Sequence, residues 1–163
     1  MITKQQFKEN ILSEITIIKH LFDKIPPEGF DYKPTEEQRT TSELLDFLAY
    51  GPRGAVHVVK TGDRTQFSNV KEENGPVTAE NFKEKMDEAG TDINTVIEEM
   101  TDEELGEEVD IFGSGETQSR SQFLLLLVLE SLVAYKMQLF LYIKSSGNTE
   151  IYTSNLWQGK DTA

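Results

Sequence analysis

Apolar residues recur at helical spacing in four separate stretches of the chain. In the first stretch, from about Thr3 to Lys24, they fall three or four positions apart: Phe7, Ile11, Ile15, Ile18, Phe22 and Ile25. This spacing places the side chains on one face of an α-helix. Thr3 and Gln6 predict a capping box at its start. Pro26-Pro27 ends the helix, because proline supplies no backbone N–H.

Two further amphipathic helices follow. The second begins near Thr41 and has an apolar stripe of Leu44, Leu48, Ala55 and Val59. Gly51-Pro52 predicts a kink or local break within it. Residues 61–77 are rich in glycine and polar residues, so we expect a surface loop. Thr78 predicts the cap of a third helix, whose apolar face carries Phe82, Met86, Ile93, Val96, Ile97 and Met100.

The fourth stretch, residues 119–145, is apolar on nearly every side. A helix of this kind is typical of a bundle centre, so we expect the other three helices to surround it. It is also the most membrane-like segment, but Glu130, Lys136 and Gln138 lie near its middle. Each ion would cost about 2.5–3.5 kcal/mol in a bilayer, which favours a buried helix. The sequence therefore predicts an all-α four-helix bundle with a single domain, residues 1–163, onto which the tail 147–163 packs through Trp157.

The acidic charge of the chain limits the classes of partner that we expect. The formal net charge is −13, and residues 72–116 hold 16 of the 29 acidic residues but only Lys83 and Lys85 as bases. Such a surface repels phosphate backbones and anionic lipid, so neither nucleic acid nor a membrane is expected as a partner. A basic protein that binds residues 98–110 remains an alternative. The N-terminus mixes charged with apolar residues, which predicts no signal peptide and a cytoplasmic location.

The residue types that usually carry metal or nucleotide chemistry are scarce. The chain has no cysteine, which excludes disulfides and thiolate metal sites, and its only histidines are His20 and His57. Both histidines fall opposite the apolar stripes of their helices, so we expect them to be exposed. The glycines of Gly113-Ser114-Gly115 precede a helix and resemble a phosphate cradle. No strand precedes them and many acids surround them, which favours a plain turn.

A polar stripe on the fourth helix is the most informative feature. Ser131, Tyr135, Gln138 and Tyr142 follow one another at spacings of four, three and four, so they share a helix face. Two interpretations stay open. The residues form a hydrogen-bonded network that links helices, or they line a cleft that contacts a ligand.

Several segments resemble one known family. The runs AYKMQLFLYIKSSG and ELLDFLAY are similar to segments of the DinB-like, YfiT-like superfamily of helical bundles (the damage-inducible family, not the polymerase of that name). IPPEGFDYKPTEEQRTTSELL and the closing NLWQGKD add to the resemblance, which covers nearly the whole chain. The resemblance implies a DinB-like four-helix bundle that forms a homodimer.

The resemblance also implies a lost metal site. Many family members bind a divalent metal through three histidines, one after Glu-Leu-Leu-x in helix two and two in helix four, before Gln-Leu. The matching positions here are Phe47, Ser131 and Tyr135. Neither a phenyl ring nor this hydroxyl pair replaces imidazole for zinc or nickel. We therefore expect no metal and no other cofactor.

These observations favour a metal-free protein that binds a small molecule or a protein partner, with Phe47, Ser131, Tyr135, Gln138 and Tyr142 as the candidate cleft. The alternative is a divergent thiol-transferase or hydrolase-type enzyme that uses a non-metal cleft around Tyr135 and Gln138. The sequence leans against an enzyme, because the family activities depend on the metal.

Overall fold

The computed structural model describes residues 3–161 of the chain, and within them nearly all regular structure is helical. The helices are α1 (Lys4–Phe22), α2 (Thr41–Thr61), α3 (Thr65–Asn74), α4 (Phe82–Glu99), α5 (Asp102–Gly106), α6 (Arg120–Leu124), α7 (Glu130–Ser145) and α8 (Thr153–Gln158). A 3-10 turn spans Pro27–Asp31, and two antiparallel strands, β1 (Glu108–Val109) and β2 (Gln118–Ser119), pair only two residues each. The fold is all-α, as the sequence predicts.

Four long helices form the bundle: α1, α2, α4 and a composite helix. In this composite, a π-helical turn at Leu125–Leu129 joins α6 to α7, so that one 26-residue helix runs from Arg120 to Ser145. We call it the long helix. The core is built from fully buried aliphatic side chains of all four, including Ile18, Leu48, Ile93 and Leu139.

Local sequence explains where the helices begin. Capping boxes precede four of them, with Thr3, Thr40, Thr101 and Ser119 as the capping residues. In each box the hydroxyl accepts a hydrogen bond from a first-turn backbone N–H that has no partner within the helix. A Glu or Gln side chain three residues later accepts a hydrogen bond from the backbone N–H of the capping residue. The start of α4 differs from the prediction. Its N-cap is Asn81 rather than Thr78, whose backbone N–H donates to Asn81 Oδ1 at 2.7 Å.

The predicted loop at residues 61–77 is wrong, because it contains α3. This helix packs on α2, where the Phe67 ring covers Gly54 so closely that a Cβ on the glycine would lie 2.9 Å from the ring. Val70 is buried as well. The glycine-rich and charged ends of the segment concealed a short helix with two apolar anchors. The predicted break at Gly51-Pro52 is also absent, since α2 continues through Pro52.

The long helix is not surrounded on all sides, contrary to the prediction. Within its most apolar 18-residue stretch only 28% of the residues are buried, and by length and composition this helix could cross a membrane. One face packs on the bundle, and the opposite face of α7 is open to solvent. Lys136, by contrast, is fully buried and lies 2.6 Å from Glu14 of α1.

The tail contacts the bundle through different residues from the one expected. Asn155 and Leu156 of α8 are buried, and Asn155 Nδ2 lies 3.0 Å from His20 Nε2. Trp157 is 60% exposed, so the prediction that it anchors the tail by burial is wrong. Its ring lies 5.3 Å from the Lys136 ammonium and partly covers that buried charge.

Candidate functional site

A cavity of about 890 Å³ opens between α2, α3 and the long helix. The residues that line it are mostly apolar: Phe47, Gly51, Ala55, Val58, Arg64, Thr65, Phe67, Ser68, Ile111, Phe112, Leu126, Leu127, Ser131 and Tyr135. Its size lies within the range of small-molecule pockets, about 300–1,000 Å³.

Three of the five predicted cleft residues meet in this cavity. The rings of Phe47 and Tyr135 lie 4.7 Å apart between centroids, and Ser131 lines the same wall. Gly51 makes room for the Phe47 ring, since a Cβ at that position would lie 2.7 Å from it. The Tyr135 hydroxyl makes no hydrogen bond to any residue that the structure describes, so it remains available to a ligand.

The π-helical turn positions Ser131 at the cavity wall. In such a turn a backbone N–H reaches five residues back, here from Glu130 to the Leu125 carbonyl, and some carbonyls lose their usual partners. The Ser131 hydroxyl donates to the Leu127 and Val128 carbonyls at 2.8 and 3.0 Å. Its oxygen therefore faces the cavity mainly as an acceptor.

Gln138 and Tyr142 do not line this cavity. They border a separate cavity of about 410 Å³ near Tyr32 and Pro34. Gln138 Nε2 donates to Tyr142 Oη at 2.7 Å, and that hydroxyl donates to the Arg39 carbonyl at 3.2 Å. The polar stripe is thus divided between a cavity wall and a small network that ties the loop before α2 to the long helix.

Arg39 is a site residue that sequence reasoning missed. Its guanidinium lies 4.6 Å from the centre of the Phe47 ring and 5.4 Å from that of Tyr135. One guanidinium nitrogen is buried without a hydrogen-bond partner among the described residues. Arg39 borders a polar cavity of about 670 Å³ on the far side of Phe47, beside Asp46, whose pKa burial raises in spite of nearby Lys71. No spacing rule links a loop arginine to two rings on different helices.

The donor set at the matched positions does not fit a divalent metal. Phe47 offers no donor atom, the Ser131 proton is committed to the helix backbone, and Tyr135 presents a phenol. Within residues 3–161 no group of three or more His, Asp or Glu side chains is arranged to hold an ion.

Both histidines have partners, contrary to the expected exposure. His57 Nε2 lies 2.8 Å from Asp92 Oδ2, to which Arg53 Nε also donates at 2.7 Å. Burial raises the pKa of Asp92, but the hydrogen bonds from Arg53 and His57 outweigh it and hold the pKa below its usual value. His20 contacts the tail through Asn155. Both histidines serve links between helices, which a helical wheel of one helix does not reveal.

The glycine turn before the long helix is occupied by the chain itself. The Asp110 carboxylate accepts the backbone N–H groups of Gly113, Ser114 and Gly115 at 2.7, 3.1 and 2.6 Å. The Gly115 bond is the largest cause of the lowered Asp110 pKa. Because these donors already bind a carboxylate, they are not free to cradle a phosphate.

Comparison with known proteins identifies the fold as DinB-like. No protein-family model matches the chain. The chain is 27% identical over 154 residues to YjoA of Bacillus subtilis, described as uncharacterized, and the match covers 93% of this chain and 96% of that protein. The crystal structure of YjoA, a DinB-like protein, superposes with a TM-score of 0.71 and 24% identity over 90% of this chain and 95% of that one. A protein of Exiguobacterium sibiricum described as a DinB-family member has a TM-score of 0.72 and 20% identity, over 95% of this chain and 99% of that one.

Proposed function

We propose that this chain, which has the DinB-like fold, is a metal-free binding protein for a small molecule with an apolar body and an anionic end. The observation that carries the proposal is the cavity of about 890 Å³ lined by Phe47, Ser131 and Tyr135. It lies where the family resemblance would put the metal, but it offers aromatic rings in place of metal ligands.

The apolar body follows from the cavity wall. Phe47, Phe67, Phe112 and Tyr135 supply aromatic faces, and aliphatic side chains of the long helix supply the remainder. Apolar surface moved from water into such a wall is stabilised by roughly 25 cal/mol per Å². A ligand of this chemistry therefore gains affinity without a metal.

The anionic end follows from the polar groups at the cavity. Arg64 lines it, is exposed, and forms no ion pair with any residue that the structure describes. Ser68 of α3 adds a hydroxyl group to the same wall, whereas the Thr65 hydroxyl already donates to the Asp63 carboxylate at 2.8 Å. A guanidinium with a neighbouring hydroxyl is suited to a carboxylate, which it binds through charge-assisted hydrogen bonds.

The experiment uses one alkyl chain with three head groups: octanoate, octanol and octylamine. Isothermal titration of the full chain should give the tightest binding for octanoate, weaker binding for octanol and the weakest for octylamine. Arg64→Gln should reduce the affinity for octanoate to that for octanol. Lys160→Gln, at another exposed base without an ion pair among the described residues, should leave the order unchanged.

A steric variant tests the location. Ala55→Leu fills part of the cavity and should weaken octanol binding at least tenfold. Ala79→Leu makes the same change at an exposed loop position and should leave octanol binding unchanged. No heat of binding for any of the three probes would contradict the proposal, and so would an Ala55→Leu variant that binds as the parent does.

The enzyme alternative requires Tyr135 and Gln138 to act in one cleft. They border separate cavities, and the Gln138 amide is already committed to Tyr142. This division favours binding over catalysis. Thiol-transfer or hydrolysis that persists with excess chelator and is lost in Tyr135→Phe would replace the binding proposal.

A further inference from the structure

Two basic side chains without partners line the polar cavity on the far side of Phe47. The chain holds 29 acidic and 16 basic residues, so most of its bases lie beside a carboxylate. Within residues 3–161, the lysine and arginine side chains that form neither an ion pair nor a hydrogen bond are Arg39, Arg64, Lys71 and Lys160. Arg39 and Lys71 both border this cavity, whose volume is about 670 Å³. Two uncompensated cations at one cavity in so acidic a chain point to a ligand.

The two cations lie over adjacent aromatic rings of α2. Phe47 and Tyr50 share a face of this helix, and their ring centroids lie 5.5 Å apart. The Arg39 guanidinium lies 4.6 Å from the centre of the Phe47 ring, and the Lys71 ammonium lies 5.3 Å from that of Tyr50. Because a ring face attracts a cation without accepting all of its N–H groups, both cations keep donors for an anion.

The same cavity contains a carboxylate without a partner. Of the acids that line it, Glu36 pairs with a lysine, Glu43 caps α2, and Glu37 is exposed to solvent. Asp46 is half-buried and makes no hydrogen bond or ion-pair contact with any residue that the structure describes. Burial raises the pKa of Asp46 in spite of the Lys71 charge, so a cation in contact with this carboxylate would stabilise its charged form.

We infer that the polar cavity binds a free α-amino acid as its zwitterion, with the carboxylate at Arg39 and Lys71 and the ammonium at Asp46. A ligand that carries both charges compensates the cations and the carboxylate together. A simple anion would satisfy the cations but would be repelled by Asp46, and a simple amine would do the reverse. The Phe47 and Tyr50 rings favour an amino acid with an apolar side chain.

The loop that carries Arg39 is fixed before any ligand binds. The Arg39 carbonyl accepts a hydrogen bond from the Tyr142 hydroxyl at 3.2 Å, and the next backbone N–H, that of Thr40, donates to Glu43 Oε2 at 2.7 Å. A site of this kind loses little conformational freedom on binding, which favours affinity. The polar cavity shares Phe47 with the apolar cavity of the proposed function, but its charged residues are its own. The inference therefore does not rest on that function.

Isothermal titration of the full chain with three probes of one carbon skeleton tests the inference. The probes are L-norleucine, hexanoate, which lacks the amine, and pentylamine, which lacks the carboxylate. Norleucine should bind about tenfold more tightly than either, because only it satisfies both kinds of charge. Each probe is titrated alone and again with octanoate at saturation, and the affinity for norleucine should be the same in both.

Two results of these titrations would overturn the inference: norleucine that binds no more tightly than hexanoate or pentylamine, and octanoate that displaces norleucine. Inorganic phosphate that binds as tightly as norleucine would also overturn it, since the site would then recognise an anion alone. If octanoate fails to bind, the proposed function fails, but the comparison of the three probes titrated alone still tests the polar cavity.

Two variants assign the charges of the ligand. Asp46→Asn keeps the side-chain shape and should lower the affinity for norleucine about tenfold, to that for hexanoate. Arg39→Met should lower it to that for pentylamine. Asp102→Asn and Lys160→Met, the same changes at exposed residues without ion pairs in the described part of the chain, should leave norleucine binding unchanged. Circular dichroism checks that each variant is folded. Unchanged norleucine binding in Asp46→Asn or Arg39→Met, or equal weakening of all three probes, would overturn the inference.

Discussion

Lys136 and Arg39 are both drawn away from water, and the structure compensates their charges differently. Lys136, at the middle of the long helix, is fully buried and lies 2.6 Å from the Glu14 carboxylate, as an ion pair without the alignment of a hydrogen bond. Arg39, in the loop before α2, has no carboxylate partner in the described part of the chain. Its guanidinium lies over the rings of Phe47 and Tyr135 instead.

The difference separates a structural cation from one that is available to a ligand. An opposite charge cancels the field of Lys136 and fixes two helices together. Ring quadrupoles attract Arg39 by only about 0.5–2 kcal/mol and leave its positive charge uncancelled. The Arg39 guanidinium therefore lies beside Phe47 without a carboxylate in ion-pair contact, and Glu36, Glu37, Glu43 and Asp46 line the same polar cavity.

Lys136→Met should have the largest effect on stability. It leaves the Glu14 carboxylate mostly buried without its counter-charge, so the free energy of unfolding should fall by about 3 kcal/mol. Urea denaturation fitted with a common slope measures it. The double variant Glu14→Leu/Lys136→Met removes both charges and should recover most of the loss. Single and double variants of equal stability would show that the pair is not coupled.

Asp92→Asn tests the ion pair of a third cation, Arg53. This guanidinium lies near the surface, where the carboxylates of Asp92 and Glu73 compensate its charge. The variant should lower stability by about 1–2 kcal/mol at neutral pH, since it removes charge-assisted bonds from Arg53 and His57. The pKa of Asp92 is lowered in the folded chain, so its contribution is complete above the unfolded pKa of about 3.9 and is lost as the pH falls through the folded value. Denaturation at several pH values should show the two proteins converging toward pH 2. A constant difference from pH 7 to pH 2 would contradict the role of this carboxylate.

Arg39→Met keeps an unbranched side chain over the rings but removes the charge. Stability should fall by only about 1 kcal/mol, because the cation–π contribution is lost while the apolar contact remains. Chemical denaturation beside Lys136→Met gives the comparison directly. A loss as large as that of Lys136→Met would mean that Arg39 has a charged partner, and the two sites would no longer differ.

Gln138→Leu changes an uncharged polar side chain and should have the smallest effect of these variants on the free energy of unfolding. The variant removes one hydrogen bond to Tyr142 at the edge of an open cavity. Because water can replace the amide there, we expect the free energy of unfolding to fall by about 0.5 kcal/mol. The Tyr142 bond to the Arg39 carbonyl remains. Denaturation of Tyr142→Phe in parallel shows whether that second bond matters more. A loss above about 2 kcal/mol in Gln138→Leu would restore the interpretation of a closed internal network.

Periodicity predicted the four long helices because each has an apolar face that must be buried, and a capping box was readable at Thr3. It failed for α3, whose two anchors, Phe67 and Val70, are too few to give a periodic signal. The pairing of Phe47 with Tyr135 was accessible through the family resemblance alone. Arg39 and the partners of His57 depend on contacts between distant segments, which no pattern within one segment encodes.

The π-helical turn at Leu125–Leu129 has a consequence for how length changes could accumulate in this chain. An α-helix turns by about 100° per residue, and a π turn accommodates one residue beyond that phase. Deleting a single residue there would let the long helix run as an uninterrupted α-helix of nearly the same length. The deletion would keep the helical segments on either side of the turn in nearly the same phase, so it would redirect only the side chains of the turn itself, which include Leu126 and Leu127 of the cavity wall. The wall of the cavity therefore depends on one surplus residue as much as on the identity of any side chain in it.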